Sequence, residues 1–233
     1  MIGVLSGCGG AGASTFAAIL AGCAASRAGH AFLLDCDPLG GGIDVLLGCE
    51  QLTGPRWSQV RLRGGSLDPA VLRESLPCWH GVSFLSTDSA APPDPDAVHQ
   101  VAAAGASVSP VLLDLPRSQP SQLAAAQLCD RIVLVTAAEV RAVTATATLA
   151  AGCEPARTSV VVRGSSRSLP PWQIAELLGL PVVGEVPYDP ACLRPDGLQW
   201  ERIRRRTRRA AETVLDLAAA QRAEPSAPAG TAA

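Results

Sequence analysis

Short apolar runs alternate with longer helix-permissive stretches along almost the whole chain. Ile2–Ser6, Ala31–Leu34, Val82–Leu85, Val111–Leu115, Ile132–Thr136, Ser159–Val162 and Val182–Val186 are short, largely uncharged runs that read as buried strands. Between them Ser14–Ala28, Pro69–Leu76, Asp96–Ala104, Gln122–Leu128, Ala138–Ala151 and Pro171–Leu178 are mostly Ala-rich, with little to oppose a helix. Strand–helix alternation of this kind predicts an α/β fold with a mostly parallel central sheet and helices on both faces. The stretch Cys49–Pro77, punctuated by Gly54-Pro55 and Gly64-Gly65, is the least regular and should carry short helices on one edge. Residues 222–233 are Ala, Pro, Ser and Gly in the main, and read as a disordered tail behind a single domain over 1–221.

Composition narrows the chemistry. Apolar residues make up 48 % of the 233 but aromatics only 3 %, so the core must be built from Ala, Val and Leu. All 19 basic residues are Arg, which removes lysine chemistry altogether, and a net charge of −2 gives no general reason to expect nucleic-acid binding. The eight Cys include no C-x-x-C pair and there are three His, so metal-site spacing is absent. No basic leader precedes the first apolar run, and the longest uncharged apolar stretch, around Ala17–Ala25, falls well short of the ~20 residues of a membrane span. A cytoplasmic protein with mostly buried, inert thiols is expected.

The loop after the first strand admits two readings. Gly7-Cys8-Gly9-Gly10-Ala11-Gly12 matches the dinucleotide pattern G-x-G-x-x-G, with Asp35 at the end of the second strand where a ribose-binding acid belongs. The same residues continue as Ala13-Ser14-Thr15, a phosphate loop in every respect but its lysine. Both readings aim backbone N–H groups and a helix N-terminus at phosphate. The hydroxyls favour the phosphate loop, because one of them, Ser14, would ligate Mg²⁺. Two further strand-end carboxylates, Asp37 in Asp35-Cys36-Asp37-Pro38 and Asp114 in Asp114-Leu115-Pro116, suit a site that holds Mg²⁺ and orients water.

On these motifs the chain resembles the MinD/ParA superfamily of P-loop NTPase-like proteins. Gly7–Thr15 is similar to its deviant Walker A, Asp35–Gly42 to its switch I, Asp114–Pro116 to its Walker B and switch II, and Val186-Pro187-Tyr188-Asp189 to its adenine-side loop. The wording of 35–48, 114–117 and 138–143 is most similar to actinobacterial CpaE-like, septum-site-determining proteins, regulators of Tad/Flp pilus secretion or of the septum. The resemblance implies ATP or ADP with Mg²⁺ as ligands. Gly9, Gly10 and Gly12 would wrap the phosphates, with Ser14, Asp37 and Asp114 at the metal and Thr15 on the α-phosphate. Asp37 would also position water, Asp114 would be the Walker B acid, and Pro187 and Tyr188 would face the base. It further implies a homodimer and partners in the secretion or division machinery. The family's receiver-like N-terminal domain is missing, so the chain reads as a short member or one whose start lies upstream. Three positions depart from the pattern: the signature cross-subunit lysine is Cys8, the P-loop lysine is Ala13, and the adenine-binding Asn is Arg163.

Three functions therefore stand open: a nucleotide-binding regulator with weak or no hydrolysis, an ATPase switch that dimerises on ATP, and a dinucleotide-dependent oxidoreductase. Loss of the lysine forfeits about 1.5–3 kcal/mol of binding, while backbone amides and Mg²⁺ remain. Arg117, Arg141 and Arg163 are the candidate replacements for its charge. In the last predicted helix Trp200, Ile203, Thr207, Ala210, Ala211, Val214 and Leu217 form an apolar stripe, with Arg202, Arg205, Arg206 and Arg209 off it. That basic face is either plainly solvated or, by analogy with the membrane-seeking end of MinD, a peripheral contact with anionic lipid at the inner face of the membrane.

Overall fold

The computed structural model describes residues 1–61, 67–116, 125–164, 169–192 and 194–223. In chain order these contain β1 (Ile2–Ser6), α1 (Ala13–Ala28), β2 (Ala31–Asp35), α2 (Ile43–Leu47), α3 (Pro69–Ser75), β3 (Cys78–Trp79), β4 (Val82–Leu85), α4 (Pro95–Ala106), β5 (Val111–Asp114), β6 (Arg131–Ala137), α5 (Val140–Ala150), β7 (Thr158–Arg163), α6 (Pro171–Leu178), β8 (Val182–Val186) and α7 (Arg205–Ala223). The eight strands form one sheet in the order β3-β4-β2-β5-β1-β6-β7-β8, parallel except for the β3–β4 pair. All seven expected strands are present, and β3 is the addition. Two residues are too few to display alternation; what makes them a strand is the turn at His80 (φ 46°) and Gly81 (φ 81°), whose paired positive φ angles fold Trp79 back onto Val82.

Alternate residues of each central strand feed two separate cores, as the period of two demands. Val4, Leu33, Val133 and Val161 pack with α1 and α7 on one face, while Leu5, Phe32, Leu34, Leu134 and Val162 pack with α4, α5 and α6 on the other. Helix α1 is buried from Phe16 to Ala25, and its Ala and Gly content lets neighbours approach closely. A Cβ on Gly22 would stand 2.5 Å from the Trp200 ring, which the Arg208 guanidinium covers from 4.1 Å.

Element ends differ from expectation for local reasons. Asp94 accepts from the N–H groups of Asp96 and Ala97 ahead of Pro95, so α4 starts at the proline. The helix expected from Ala138 starts at Val140, because the Ala138 N–H is donated to the Arg163 carbonyl and Glu139 is extended. Residues 125–127 of the expected Gln122–Leu128 helix are helical, and 122–124 lie outside the described residues. The last helix begins at Arg205 rather than near Trp200, which sits in a separate turn, Trp200–Arg202. Its apolar stripe is real but spent: Thr207, Ala211 and Val214 are fully buried against the rest of the domain, and Arg205, Arg206 and Arg209 are left outside with Glu212 and Asp216. Most of the predicted tail, 224–233, lies outside the described residues, and no helix among them is long and apolar enough to cross a membrane.

His30, just before β2, is buried with Nε2 2.9 Å from the Ser83 hydroxyl and Nδ1 3.2 Å from that of Ser109. Burial first, and Arg73 second, hold its pKa below the ordinary value. As pH falls, the unfolded chain therefore takes up this proton before the folded one, so the native state loses stability below about pH 6.5. Urea midpoints should drop between about pH 7.5 and about pH 5.5 more steeply in wild type than in a His30→Gln variant; parallel profiles would mean that the buried imidazole does not carry the effect.

Candidate functional site

The carboxyl ends of the parallel strands form one edge, and the glycine loop lies at its middle. Strand β5 runs between β1 and β2, pairing Val4 with Asp114 on one side and Asp35 with Asp114 on the other. Asp114 thus stands beside the strand that feeds the loop. This order also answers the dinucleotide reading, in whose fold the first two strands are neighbours. Asp35 is not available to a ribose: it is buried, and its oxygens accept from the N–H groups of Asp37, Ile43 and Thr87 and from the Thr87 hydroxyl at 2.9–3.2 Å. Burial raises its pKa and these hydrogen bonds oppose the rise. Its carbonyl takes the Trp57 indole N–H at 2.6 Å. Asp35 is the organiser of the 36–43 loop.

Within the glycine loop the residues divide between the body and the cleft. Gly7 lies against α5, where a Cβ would meet the backbone of Ala145 and Thr146 at 2.4–2.7 Å, and Ala11 is buried. Cys8 is half-buried, its carbonyl accepting the Ser6 hydroxyl at 2.9 Å. Gly10 and Gly12 take left-handed φ angles of 73° and 90°, open to glycine and strained for other residues. Gly12 is also the N-cap of α1; no side chain caps this end and its first turn holds no acid, so its dipole and first N–H groups are unopposed.

Two clefts open on this loop. One is lined by Gly9, Gly10, Gly12, Ala13, Ser14 and Thr15 and by Asp37, Leu39 and Asp114. The second, largely apolar, is lined by Thr15, Phe16 and Ile19 of α1 and by Val186, Pro187 and Tyr188 at the end of β8. Gly12, Thr15 and Arg163 belong to both. The Tyr188 loop is held by Asp189, which is buried and accepts from the Arg204 N–H at 2.8 Å and the Thr207 hydroxyl at 3.0 Å, tying it to α7. Of the three candidate cations, Arg163 lines both clefts, Arg141 is exposed at the start of α5 without lining either, and Arg117 lies outside the described residues. Ser6, Phe16, Ile19, Leu39 and Cys192 line the clefts without having been expected. Only Phe16 and Ile19 had a signal, being next to and four residues beyond Thr15 on a helix. Burial lifts the Cys192 thiol to about 11, so it is an apolar wall rather than a nucleophile.

A glycine loop turning into an uncapped helix beneath strand-end carboxylates, on a sheet with β5 inserted beside β1, defines a P-loop-type α/β protein. Its fold is that of the MinD/ParA ATPases. The MinC:MinD cell division complex of Aquifex aeolicus superposes with a TM-score of 0.73 at 17 % identity, over 99 % of this chain and 98 % of that one. A ParA family ATPase of Chlorobium tepidum gives 0.72 at 16 %, over 94 % and 98 %, and the septum site-determining protein MinD with Mg-ADP from Pyrococcus horikoshii 0.69 at 19 %, over 94 % and 97 %. In sequence the chain is 38 % identical over 220 residues to uncharacterised proteins of two Mycobacterium tuberculosis strains, covering 89 % of itself. It spans 60 % of the length of those relatives. No protein-family model matches it.

The glycines make a contrast that can be measured. Gly7→Ala drives a methyl into backbone and should lower the melting temperature by about 5 °C or more, whereas Gly10→Ala meets nothing within 4 Å and should lose roughly 2–4 °C from its φ alone. Equal losses in calorimetry would mean that the loop does not seat on α5 as described.

Proposed function

We propose that the chain is a MinD/ParA-type nucleotide-binding regulator, taking Mg·ATP or Mg·ADP and hydrolysing ATP weakly or not at all. The observation that carries this is the meeting, in one cleft, of the left-handed glycine loop, the uncapped start of α1 and the carboxylates Asp37 and Asp114. The residues fit the group: Gly9, Gly10 and Gly12 offer a surface without side chains for phosphate oxygens, and the α1 dipole favours their charge. Ser14, Asp37 and Asp114 would hold Mg²⁺, which when bound offsets phosphate charge. Thr15 would donate to the α-phosphate, and the apolar cleft by Pro187 and Tyr188 would take the base. Asp37 would orient an attacking water. What is absent is the cation that neutralises charge developing in transfer, since Ala13 and Cys8 stand where lysines would serve; binding therefore survives better than turnover.

Similarity in wording to CpaE-like proteins supports a role in localising pilus secretion or septum machinery, with a homodimer and proteins of that machinery as partners, and a cytoplasmic setting. The MinC:MinD structure supports division proteins as the kind of partner to look for. Lipid contact through the Arg202–Arg209 region is less favoured, because the helix's apolar side is buried in the domain and only charge is left to offer.

Mg·ATP or Mg·ADP should raise the melting temperature more than NAD or NADP does; tighter NAD binding by calorimetry would overturn the reading. Ala13→Lys should tighten ATP binding by about tenfold, the order expected of one charge-assisted contact, with a smaller gain in hydrolysis because Cys8 still lacks its charge. Vigorous wild-type ATPase activity, or a folded Ala13→Lys variant with unchanged ATP affinity, would count against it.

A further inference from the structure

Arg163 is the last residue of β7, two strands from β1 with β6 between them, and its backbone is fixed on both sides. Its carbonyl accepts the Ala138 N–H at 3.2 Å, and it is in register with Ala137 of β6 and Val186 of β8. From that anchor the side chain crosses the glycine loop. Its Cδ lies 3.3 Å, and its Nε 4.0 Å, from the point where a Cβ of Gly12 would be. Arg163 is the cationic residue among those described that line the phosphate-loop cleft, and it lines the apolar cleft as well. The carboxylates of the site, Asp37 and Asp114, line the phosphate-loop cleft too, and none of the ion pairs among the described residues engages Arg163. An exposed arginine held on a rigid strand end over an uncapped helix start, with no ion pair among the described residues, is a donor fork suited to an anion.

We infer that Arg163 supplies from the sheet the cationic contact to the nucleotide phosphates that position 13 no longer supplies from the loop. This rests on the nucleotide reading above and adds to it a residue whose counterpart in the resemblance faces the base. The geometry favours phosphate over base for a physical reason. The side chain passes over Gly12, at the junction of the two clefts, so a chain of phosphates lying on the glycine loop must run beside it, while the base must sit beyond Thr15 among Phe16, Ile19 and Tyr188. An arginine is donor-only, and adenine sets an amino donor beside each of its N1 and N7 acceptors, whereas phosphate oxygens accept from every direction. Gly12 is then required twice, for its φ of 90° and because a methyl there would press on the Arg163 side chain.

The test uses the whole chain and two probes, Mg·ATP and inorganic tripolyphosphate, the second having no base or ribose. Arg163→Ala should weaken both by roughly 10- to 100-fold and flatten the salt dependence of binding, and Arg163→Lys should retain most of the affinity. Because the side chain is exposed and has no ion-pair partner among the described residues, the melting temperature without ligand should not move. In a double-mutant cycle, Ala13→Lys should gain more in the Arg163→Ala background than in wild type, since the two charges serve one group. Loss of ATP affinity with tripolyphosphate binding unchanged would assign Arg163 to the base and overturn the inference. A wild type that binds both probes, with Arg163→Ala indistinguishable from it, would overturn the inference alone; a wild type that binds neither would overturn the nucleotide reading and the inference with it.

Discussion

The position of β5 between β1 and β2 is the constraint on which the rest of the site depends. Three parallel strands end there side by side, and the hydrogen bonds from Cys36 N–H to the Asp114 carbonyl and from Leu115 N–H to the Val4 carbonyl continue the ladder past their ends. These bonds hold the first residues of two loops at the level of a third strand's terminal carboxylate. A sheet with β1 next to β2 would put Asp35 beside the glycine loop and Asp114 elsewhere, and a dinucleotide chemistry would follow. With β5 inserted, Asp114 takes the inner place and Asp35 is left to bind its own loop's backbone. Strand order therefore separates the two folds open to the same glycine pattern.

Packing of small residues sets how closely the layers meet at that edge. Gly7 lets α5 come to backbone distance, Gly22 admits Trp200, and Gly184 of β8 has Ala210 of α7 where a methyl would stand at 2.9 Å. In a chain with so few aromatics, such approaches are how a thin core reaches normal density. They also explain why α7 keeps its apolar stripe for the fold: Thr207 is committed to Asp189, which in turn holds the loop carrying Tyr188. The last helix and the apolar cleft are consequently one mechanical unit, and Arg208 is stacked on Trp200 while Arg206 pairs with Glu185 of β8.

The missing lysine changes what this arrangement can do more than whether it forms. Loop conformation is dictated by glycine φ angles, by the seat on α5 and by α1, none of which involves position 13. On the proposed reading, a phosphate cradle would persist as architecture without a loop charge to speed transfer, a separation that suits a protein working by occupancy. A cation contributed by Arg163 would favour bound phosphate without standing where the loop lysine stands, and so would act on affinity before rate.

Much of this was legible in the residues themselves. The seven parallel strands, the α/β class, the glycine loop and the carboxylates Asp37 and Asp114 follow from local patterns, because buried strands need continuous apolar runs and left-handed turns need glycine. The His80-Gly81 hairpin and the Asp94 cap carried local signals too, and α2 and β3 were simply too short for periodicity to register. What no local pattern contains is adjacency. That β5 enters between β1 and β2, that Asp35 is consumed by hydrogen bonds to residues as distant as Thr87, that Arg163 and not Arg141 crosses the loop, and that the final helix buries its stripe were decided by tertiary structure. Each depends on contacts between residues far apart in the chain, where pairing register and the room left by a missing side chain determine which neighbour arrives.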